Sequence, residues 1–356
     1  MEGHVRARAP RSSSSQQSEG NGRRRRPRWR RITTALVAAA AVVLVTSCQV
    51  PLGPVTKVAV DTPRLPETSD PFVVADGGAY YVYGSDNHLR APVTRLTDIS
   101  RPYTLWEKNA VTVEGMPQRP AWAARERQLW APTVARVGNV WVMWFAADRI
   151  NPPDPANPQC IGRALALSPQ GPFTPEPAPI TCGIANLHGA LDPDVFTDES
   201  GQRWLYVTFG NTMDPIRAFP LDGAGVISGP PVVVLGRQHA WEYHFIENPS
   251  MVFDRVRRNY LLAYSAGRWY EPGYSTGIAR CATPTGPCTS DPSGPWISSS
   301  NGRSGPGGLS FFTDLEGAQR AIYSSFPAGG ETTNGGRSAS IAYLKVDPSV
   351  TLTVVK

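Results

Sequence analysis

Three acidic residues stand at comparable places in three comparable stretches. Asp70 precedes Pro71-Phe72-Val73-Val74, Asp192 precedes Pro193-Asp194-Val195-Phe196, and Glu247 precedes Asn248-Pro249-Ser250-Met251-Val252. Each acid sits one or two positions before a proline, and each stretch reads as a loop end that becomes a strand. A second apolar run follows every time: Ala79-Tyr80-Tyr81-Val82-Tyr83 after Gly77-Gly78, Trp204-Leu205-Tyr206-Val207 after Asp198-Glu199-Ser200-Gly201, and Asn259-Tyr260-Leu261-Leu262. A single Asp before Pro is usually a turn former that accepts backbone N–H bonds. Three carboxylates held at one structural position of three repeats instead make an acidic site.

The elements that must hold them are strands. The chain has 356 residues, 41% of them hydrophobic, enough for a large core. Its 33 Gly and 35 Pro, with no long amphipathic helical stretch after position 60, favour a turn-rich all-β protein. Hydrophobic strand cores recur near Tyr80, Trp141, Trp204, Tyr260 and Ile322, a period of roughly 60 residues. Secondary strands lie between them. Ile161–Ala166 leads into Ser168–Phe173, Thr276–Cys281 leads into Thr283–Cys288, and Ser340–Leu344 comes last. Five such units predict a five-bladed β-propeller; the regular period and the proline-marked strand starts favour it over a large β-sandwich. The innermost strand of each blade lines the channel, so Asp70, Asp192 and Glu247 should converge at one mouth from blades one, three and four. Blade two places Trp130-Ala131-Pro132-Thr133 there, with threonine in the acid's place.

The net charge of +6 belongs to the first 31 residues, which hold ten Arg and two Glu; the remainder carries −2. A nucleic-acid partner is therefore not expected. The basic segment ends at Arg31, and the apolar run Ile32–Val45 follows. That run is shorter than the roughly 20 residues of a membrane span and fits an export signal. Val45-Thr46-Ser47-Cys48 resembles a bacterial lipobox, which would make Cys48 the lipidated mature N-terminus; a plain cleaved signal or an uncleaved anchor is the other reading. The expected organisation is a signal segment at 1–47, a proline-marked linker at 48–64 and a propeller catalytic domain at 65–356. The product would be a monomer, exported and either lipid-anchored or extracellular, touching the membrane only through its N-terminal end. Of five cysteines, Cys48 is the odd one. Pairing Cys160 with Cys182 and Cys281 with Cys288 is one of three connectivities for the rest, and it suits an oxidising compartment.

The motifs together resemble glycoside hydrolase family 43, whose members are five-bladed propellers acting on arabinan, arabinoxylan and xylan. Asp70-Pro71-Phe72-Val73 looks like that family's opening motif, Leu191-Asp192-Pro193-Asp194 its second and Ile246-Glu247-Asn248-Pro249-Ser250-Met251 its third. Trp130-Ala131-Pro132 and the loops ending Gly171-Pro172-Phe173 and Gly286-Pro287-Cys288 are further matches, over residues 65–345. The resemblance implies that Asp70 is the general base, Glu247 the general acid and Asp192 the modulator that tunes the acid and orients the substrate. It also implies an arabinofuranosyl or xylosyl linkage in a polysaccharide or oligosaccharide. The chemistry agrees. Inverting hydrolysis needs a protonated acid on the leaving oxygen and a carboxylate that activates water on the opposite face, about 6.5–9.5 Å away. A neighbouring carboxylate raises the acid's pKa by like-charge repulsion.

Phe72, Trp130, Thr133 and Trp269 are the candidate sugar contacts, with Trp241 and Tyr270 beside loop motifs; aromatic rings stack on sugar faces. Glu242, Asp194 and Asp214 compete with the main acids as carboxylates near the motifs. Many family members carry Gly-Pro-Gly-His in blade five, whose His serves an axial metal or water site; here the stretch is Gly305-Pro306-Gly307-Gly308. No cofactor is required and no metal is expected. An axial calcium would need His188, His239 or His244 as a substitute. The alternative function is a non-catalytic carbohydrate-binding propeller lipoprotein that uses the same mouth without turnover.

Overall fold

The computed structural model describes residues 58–59, 67–99, 110–210, 215–329, 336–346 and 352–355. The expected export segment at 1–47, Cys48 and Asp214 lie outside them. Every element among the described residues is a strand. Five blade sheets succeed one another along the chain, each built on four antiparallel strands in sequence order; the fourth is widened to six by Ile297–Ser298 and by Val58–Ala59, which pairs with it in parallel, and Gly183–Ile184 and Leu187–His188 form a separate small hairpin. Blade one holds β1 (Phe72–Asp76), β2 (Ala79–Tyr83), β3 (Pro92–Leu96) and β4 (Val111–Glu114). Blade two holds β5 (Leu129–Val137), β6 (Val140–Asp148), β7 (Gln159–Ala166) and β8 (Thr174–Pro175). Blade three holds β9 (Ala190–Thr197), β10 (Arg203–Phe209), β11 (Ile216–Leu221) and β12 (Val232–Leu235). Blade four holds β13 (Ile246–Asp254), β14 (Asn259–Ala266), β15 (Ser275–Cys281) and β16 (Cys288–Ser290). Blade five holds β17 (Arg303–Thr313), β18 (Gln319–Pro327), β19 (Ser338–Val346) and β20 (Leu352–Val355). The first strands touch one another in cyclic order, β1–β5–β9–β13–β17 and back to β1, so the ring closes as a five-bladed β-propeller.

The core explains why the second strand of each blade is so apolar. Five hydrophobic clusters form, one between each pair of adjacent blades. A second strand is covered on both faces, so its side chains are apolar without alternation. In β6 the run Trp141–Asp148 is buried throughout. The blade-one hairpin turns on Gly77 and Gly78, with φ of 56° and 75° between the paired Asp76 and Ala79. Both central residues of such a tight turn need positive φ, which glycine adopts without steric cost. Disulfides join Cys160 to Cys182 and Cys281 to Cys288, and the second pair lies directly opposite across β15 and β16.

The registers also fix which loops face the mouth. Ile246 and Glu247 at the start of β13 pair with Ala266 and Ser265 at the end of β14. The loop from Gly267 to Tyr274 therefore emerges at the same end of the blade as Glu247.

Candidate active site

The inner strands begin with one repeated backbone irregularity. Asp70, Ala131, Asp192, Asn248 and Gly308 all have positive φ, at 46°, 46°, 50°, 48° and 60°. The first four each precede a proline. A residue before proline is normally extended, and a non-glycine residue in the left-handed region costs about 1–2 kcal/mol. Four such costs are concentrated in one ring. Strain of this kind gathers at functional sites when the surroundings over-determine it, and they do here. Ser85 Oγ accepts from Ala131 N–H (2.9 Å), Asp192 Oδ2 from Asn248 N–H (3.1 Å), and Ser265 Oγ from Gly308 N–H (2.9 Å). The five ring residues line an open depression of about 270 Å³, together with Phe72, Pro132, Pro193, Asp194, Pro249, Leu309 and Ser310.

Blade four corrects the expected equivalence of the three acids. Asp70 and Asp192 are ring residues, but the blade-four ring residue is Asn248 and Glu247 comes one before it. Blade two contributes Ala131 to the ring, with Thr133 two residues deeper along the strand.

Asn248 ties the acids together. Its backbone N–H binds Asp192, and its Nδ2 reaches Asp70 Oδ1 in a long 3.4 Å contact. The Tyr274 hydroxyl is shared between Asn248 Oδ1 (2.8 Å) and Glu247 Oε1 (2.7 Å). Asp70 is fixed from its other side by the Ser85 hydroxyl, 2.6 Å from Oδ2. Gly308 packs so closely on Asp70 that a Cβ there would lie 2.9 Å from Oδ1. Gly307 makes room for Tyr274, because a Cβ there would meet Cε1 of that ring at 2.1 Å.

Burial pushes the Glu247 carboxyl up to about 7; the Tyr274 hydrogen bond opposes this, the Asp70 charge adds to it, and Arg337 opposes it. Asp192 is pushed well above the usual carboxylate range, first by burial and then by the charges of Glu247 and Asp70, with the Asn248 N–H opposing. Carboxyls coupled this closely share protons as a set. The push on Glu247 thus comes from burial first, and the like charge acting on it is that of Asp70. The compensating cation is Arg337, buried behind Tyr274 with its guanidinium carbon 5.4 Å from the ring centre. It donates to Ser324 Oγ (2.9 Å) and to the carbonyls of Ser324 (2.9 Å), Gly305 (2.5 Å) and Trp269 (3.2 Å). Burial lowers its pKa, while Tyr274, Asp70 and Glu247 support its charge.

The four candidate sugar contacts separate. Phe72 lines the depression. Thr133 is buried and its Oγ1 accepts from Val195 N–H at 3.2 Å, so its hydroxyl latches blade two to blade three instead of facing a ligand. Trp130 is half-buried and packs into the apolar layer between the same blades. Trp269 is 56% exposed and meets Tyr270, 43% exposed, edge to face at 5.3 Å on the Gly267–Tyr274 loop. Glu242 is fully buried, accepting from Tyr264 Oη (2.5 Å) and His239 N–H (2.8 Å), which makes it a loop anchor. Trp241 stacks on Tyr264 at 6.0 Å beside it. Asp194 is buried in the floor, where it accepts from Met251 N–H at 3.2 Å.

The donor set does not fit an axial cation. The blade-five ring residue Gly308 offers no side chain, and no group of three or more His, Cys, Asp or Glu among the described residues is arranged to hold a metal. Burial pushes the floor carboxyl of Asp194 up to about 8. His239 sits near the Ser290 carbonyl (3.4 Å) and His244 meets Tyr243 edge to face (5.1 Å).

Known proteins place this geometry in context. The family model for glycosyl hydrolases family 43 matches residues 63–349. An extracellular endo-alpha-(1->5)-L-arabinanase of Thermotoga petrophila is 27% identical over 253 residues, 61% of this chain and 50% of that protein. Xylosidase/arabinosidase 43A of Humicola insolens is 26% identical over 153 residues, 39% of this chain and 42% of that protein. The chain thus spans about half the length of the curated relatives it matches, at 50% and 42%. Among solved structures, a thermostable family-43 glycoside hydrolase superposes with a TM-score of 0.67 at 21% identity, covering 86% of this chain and 96% of the other.

Proposed function

The chain belongs to glycosyl hydrolases family 43, and from that premise we propose that it hydrolyses arabinofuranosyl or xylosyl linkages in polysaccharides with inversion. One observation carries the reading. Glu247 is raised to about 7 inside a hydrogen-bonded set that also contains Asp70 and Asp192, joined through Asn248 and Tyr274. A carboxyl poised near neutrality is matched to general acid work.

In this mechanism Glu247 gives its proton to the glycosidic oxygen as the bond to the anomeric carbon breaks. A water on the opposite face attacks that carbon and gives its proton to Asp70. Asp192 keeps the Asn248 segment in place through its hydrogen bond from Asn248 N–H. Ser85 and Gly308 hold the Asp70 rotamer that aims at the water. The depression is open, so a sugar seated in it would leave the rest of its chain lying across the mouth. There the exposed Trp269 and Tyr270 offer stacking faces. Their loop is held by Arg268 to Glu271 (3.0 Å) and by Tyr243 to Glu271 (3.1 Å), so the rings are presented on a fixed support. Phe72 walls the depression itself.

The names of the arabinanase and xylosidase/arabinosidase relatives support the two sugar classes, and the extracellular relative supports action outside the cell. Export through residues 1–47, lipidation at Cys48 and a catalytic domain at 65–356 complete the proposal, and the disulfides accord with an oxidising compartment.

The test is hydrolysis by the purified protein of debranched arabinan, xylan, and aryl arabinofuranosides and xylosides, beside E247Q. The parent should cleave at least one class, and E247Q should fall about a hundredfold or more. A folded parent that cleaves none, yet is thermally stabilised by the oligosaccharides, would make it a binding propeller.

A further inference from the structure

A second ring of side chains lies two residues deeper than the first, at Thr133, Asp194, Ser250 and Ser310. Three of its members latch one blade to the next by one rule. Thr133 Oγ1 accepts from Val195 N–H (3.2 Å), Asp194 Oδ2 from Met251 N–H (3.2 Å), and Ser250 Oγ from Phe311 N–H (3.0 Å). In each case the accepting residue lies two past a ring residue and the donating N–H lies three past the next one. Two of the acceptors are hydroxyls. The latch from blade three to blade four is a carboxyl, and it does more than a hydroxyl can: Asp194 Oδ1 also approaches Ser250 Oγ at 3.5 Å.

The segment it grips is where Glu247 is presented. The ladder between β13 and β14 breaks between Glu247 and Ser250, leaving Asn248 and Pro249 as a bulge. A bulge re-aims the side chains beside it, and one without lateral support can slip. Asp192 holds its start at Asn248 N–H, and Asp194 holds its end at Ser250 and Met251. Ser250 passes the constraint on to Phe311, three residues past the Gly308 that packs on Asp70. We propose that Asp194 is a positioning residue: with Asp192 it clamps the blade-four bulge and so fixes where Glu247 stands relative to Asp70. The catalytic half of this statement rests on the hydrolase reading above; the structural half does not. Burial favours the neutral form of Asp194 near neutral pH, so the clamp adds no charge beside Asp70, Asp192 and Glu247.

Two substitutions in the full-length protein test it. D194T supplies a hydroxyl like that of Thr133, so the N–H of Met251 keeps an acceptor and the fold survives, but Ser250 is released. D194N keeps the size of the side chain and an acceptor oxygen. The protonated C=O stretch of Glu247, identified by its loss in E247Q, is followed by infrared spectroscopy through a pH titration, which needs no substrate. Where a substrate is cleaved, kcat and KM are measured as well. In D194T the Glu247 midpoint should move down by about half a pH unit or more as water reaches the loosened bulge. Its kcat should fall about tenfold with KM changed less than about threefold. D194N should match the parent in both. A D194T protein whose Glu247 titrates as in the parent overturns the inference, and so does a D194N displaced as far as D194T. A parent without activity would count against the hydrolase reading and would leave the titration to decide this one.

Discussion

Removal of one hydroxyl, Tyr274→Phe, isolates the group that most directly opposes the acid. The Tyr274 hydroxyl lies 2.7 Å from Glu247 Oε1 and lowers the carboxyl's pKa against the upward push of burial. A donor to a charged partner is worth about 1.5–3 kcal/mol, and one pH unit corresponds to about 1.4 kcal/mol. Loss of the hydroxyl should therefore raise the Glu247 pKa by about one unit, with roughly two as the upper bound because part of the bond survives in the neutral form. The sign follows from the role. Glu247 must be protonated to act, so activity declines as pH rises through its pKa, near 7 in the parent. In Y274F this alkaline limb of kcat/KM should move up. The rate below the limb should fall about tenfold, because Glu247 and Asn248 lose the partner that orients them. The assay is kcat/KM from pH 4 to 9 on an aryl glycoside that the parent cleaves, with circular dichroism to confirm the fold. A limb that stays where it was, or moves to lower pH, would refute the assignment of Glu247 as the acid and of Tyr274 as its donor.

Other outcomes follow from the same geometry. In Gly308→Ala the new Cβ would lie 2.9 Å from Asp70 Oδ1 and 3.2 Å from its Cα, at a φ of 60°. The strain should cost about 1–2 kcal/mol in a urea melt, and displacement of Asp70 should cut kcat about tenfold or more; unchanged kcat would show that Gly308 does not set the position of Asp70. Asp194→Asn should change how stability depends on pH. An unfolded aspartate titrates near 3.9, whereas burial holds Asp194 protonated up to about 8. Between those values the folded parent keeps a proton that the unfolded chain has lost, so its stability falls as pH rises. Asparagine has no such proton, so D194N should gain on the parent steadily from about pH 4 to pH 8 and not below, by at most about 1.4 kcal/mol per unit. Urea midpoints at pH 4, 6 and 8 would show this, and parallel curves would contradict it.

The acids and the blades were legible for different reasons. Second strands such as Trp141–Asp148 are buried on both faces, so their apolar runs stand out and repeat. Asp70-Pro71 and Asp192-Pro193 announced themselves through the proline that follows the strained ring residue. The same dipeptide logic applied to Ala131-Pro132 and Asn248-Pro249 would have found the other ring members, and would have shown Glu247 to stand one residue off the ring. The type of an isolated side chain misled in two places. Thr133 looked like a ligand contact because it replaces an acid, yet its hydroxyl is consumed by a backbone N–H of the next blade. Trp130 looked like a stacking ring, yet it fills the layer between blades two and three. Tyr274, Arg337 and Ser85 reach the site through space from loops beside the second and third strands, where no local pattern marks them. Asp194 was visible only as a neighbour of Asp192; its role depends on the register of another blade.

The central claim is that Glu247 protonates the leaving group, and the dependence of E247Q on the leaving group tests it most directly. Glutamine keeps the shape and loses the proton. On arabinan or xylan, whose departing sugar oxygen needs that proton, E247Q should lose about a hundredfold or more in kcat/KM. On a dinitrophenyl glycoside of the same sugar, whose leaving group departs unaided, the loss should be only a few-fold. Equal losses on both substrates, or no loss on either, would contradict the account.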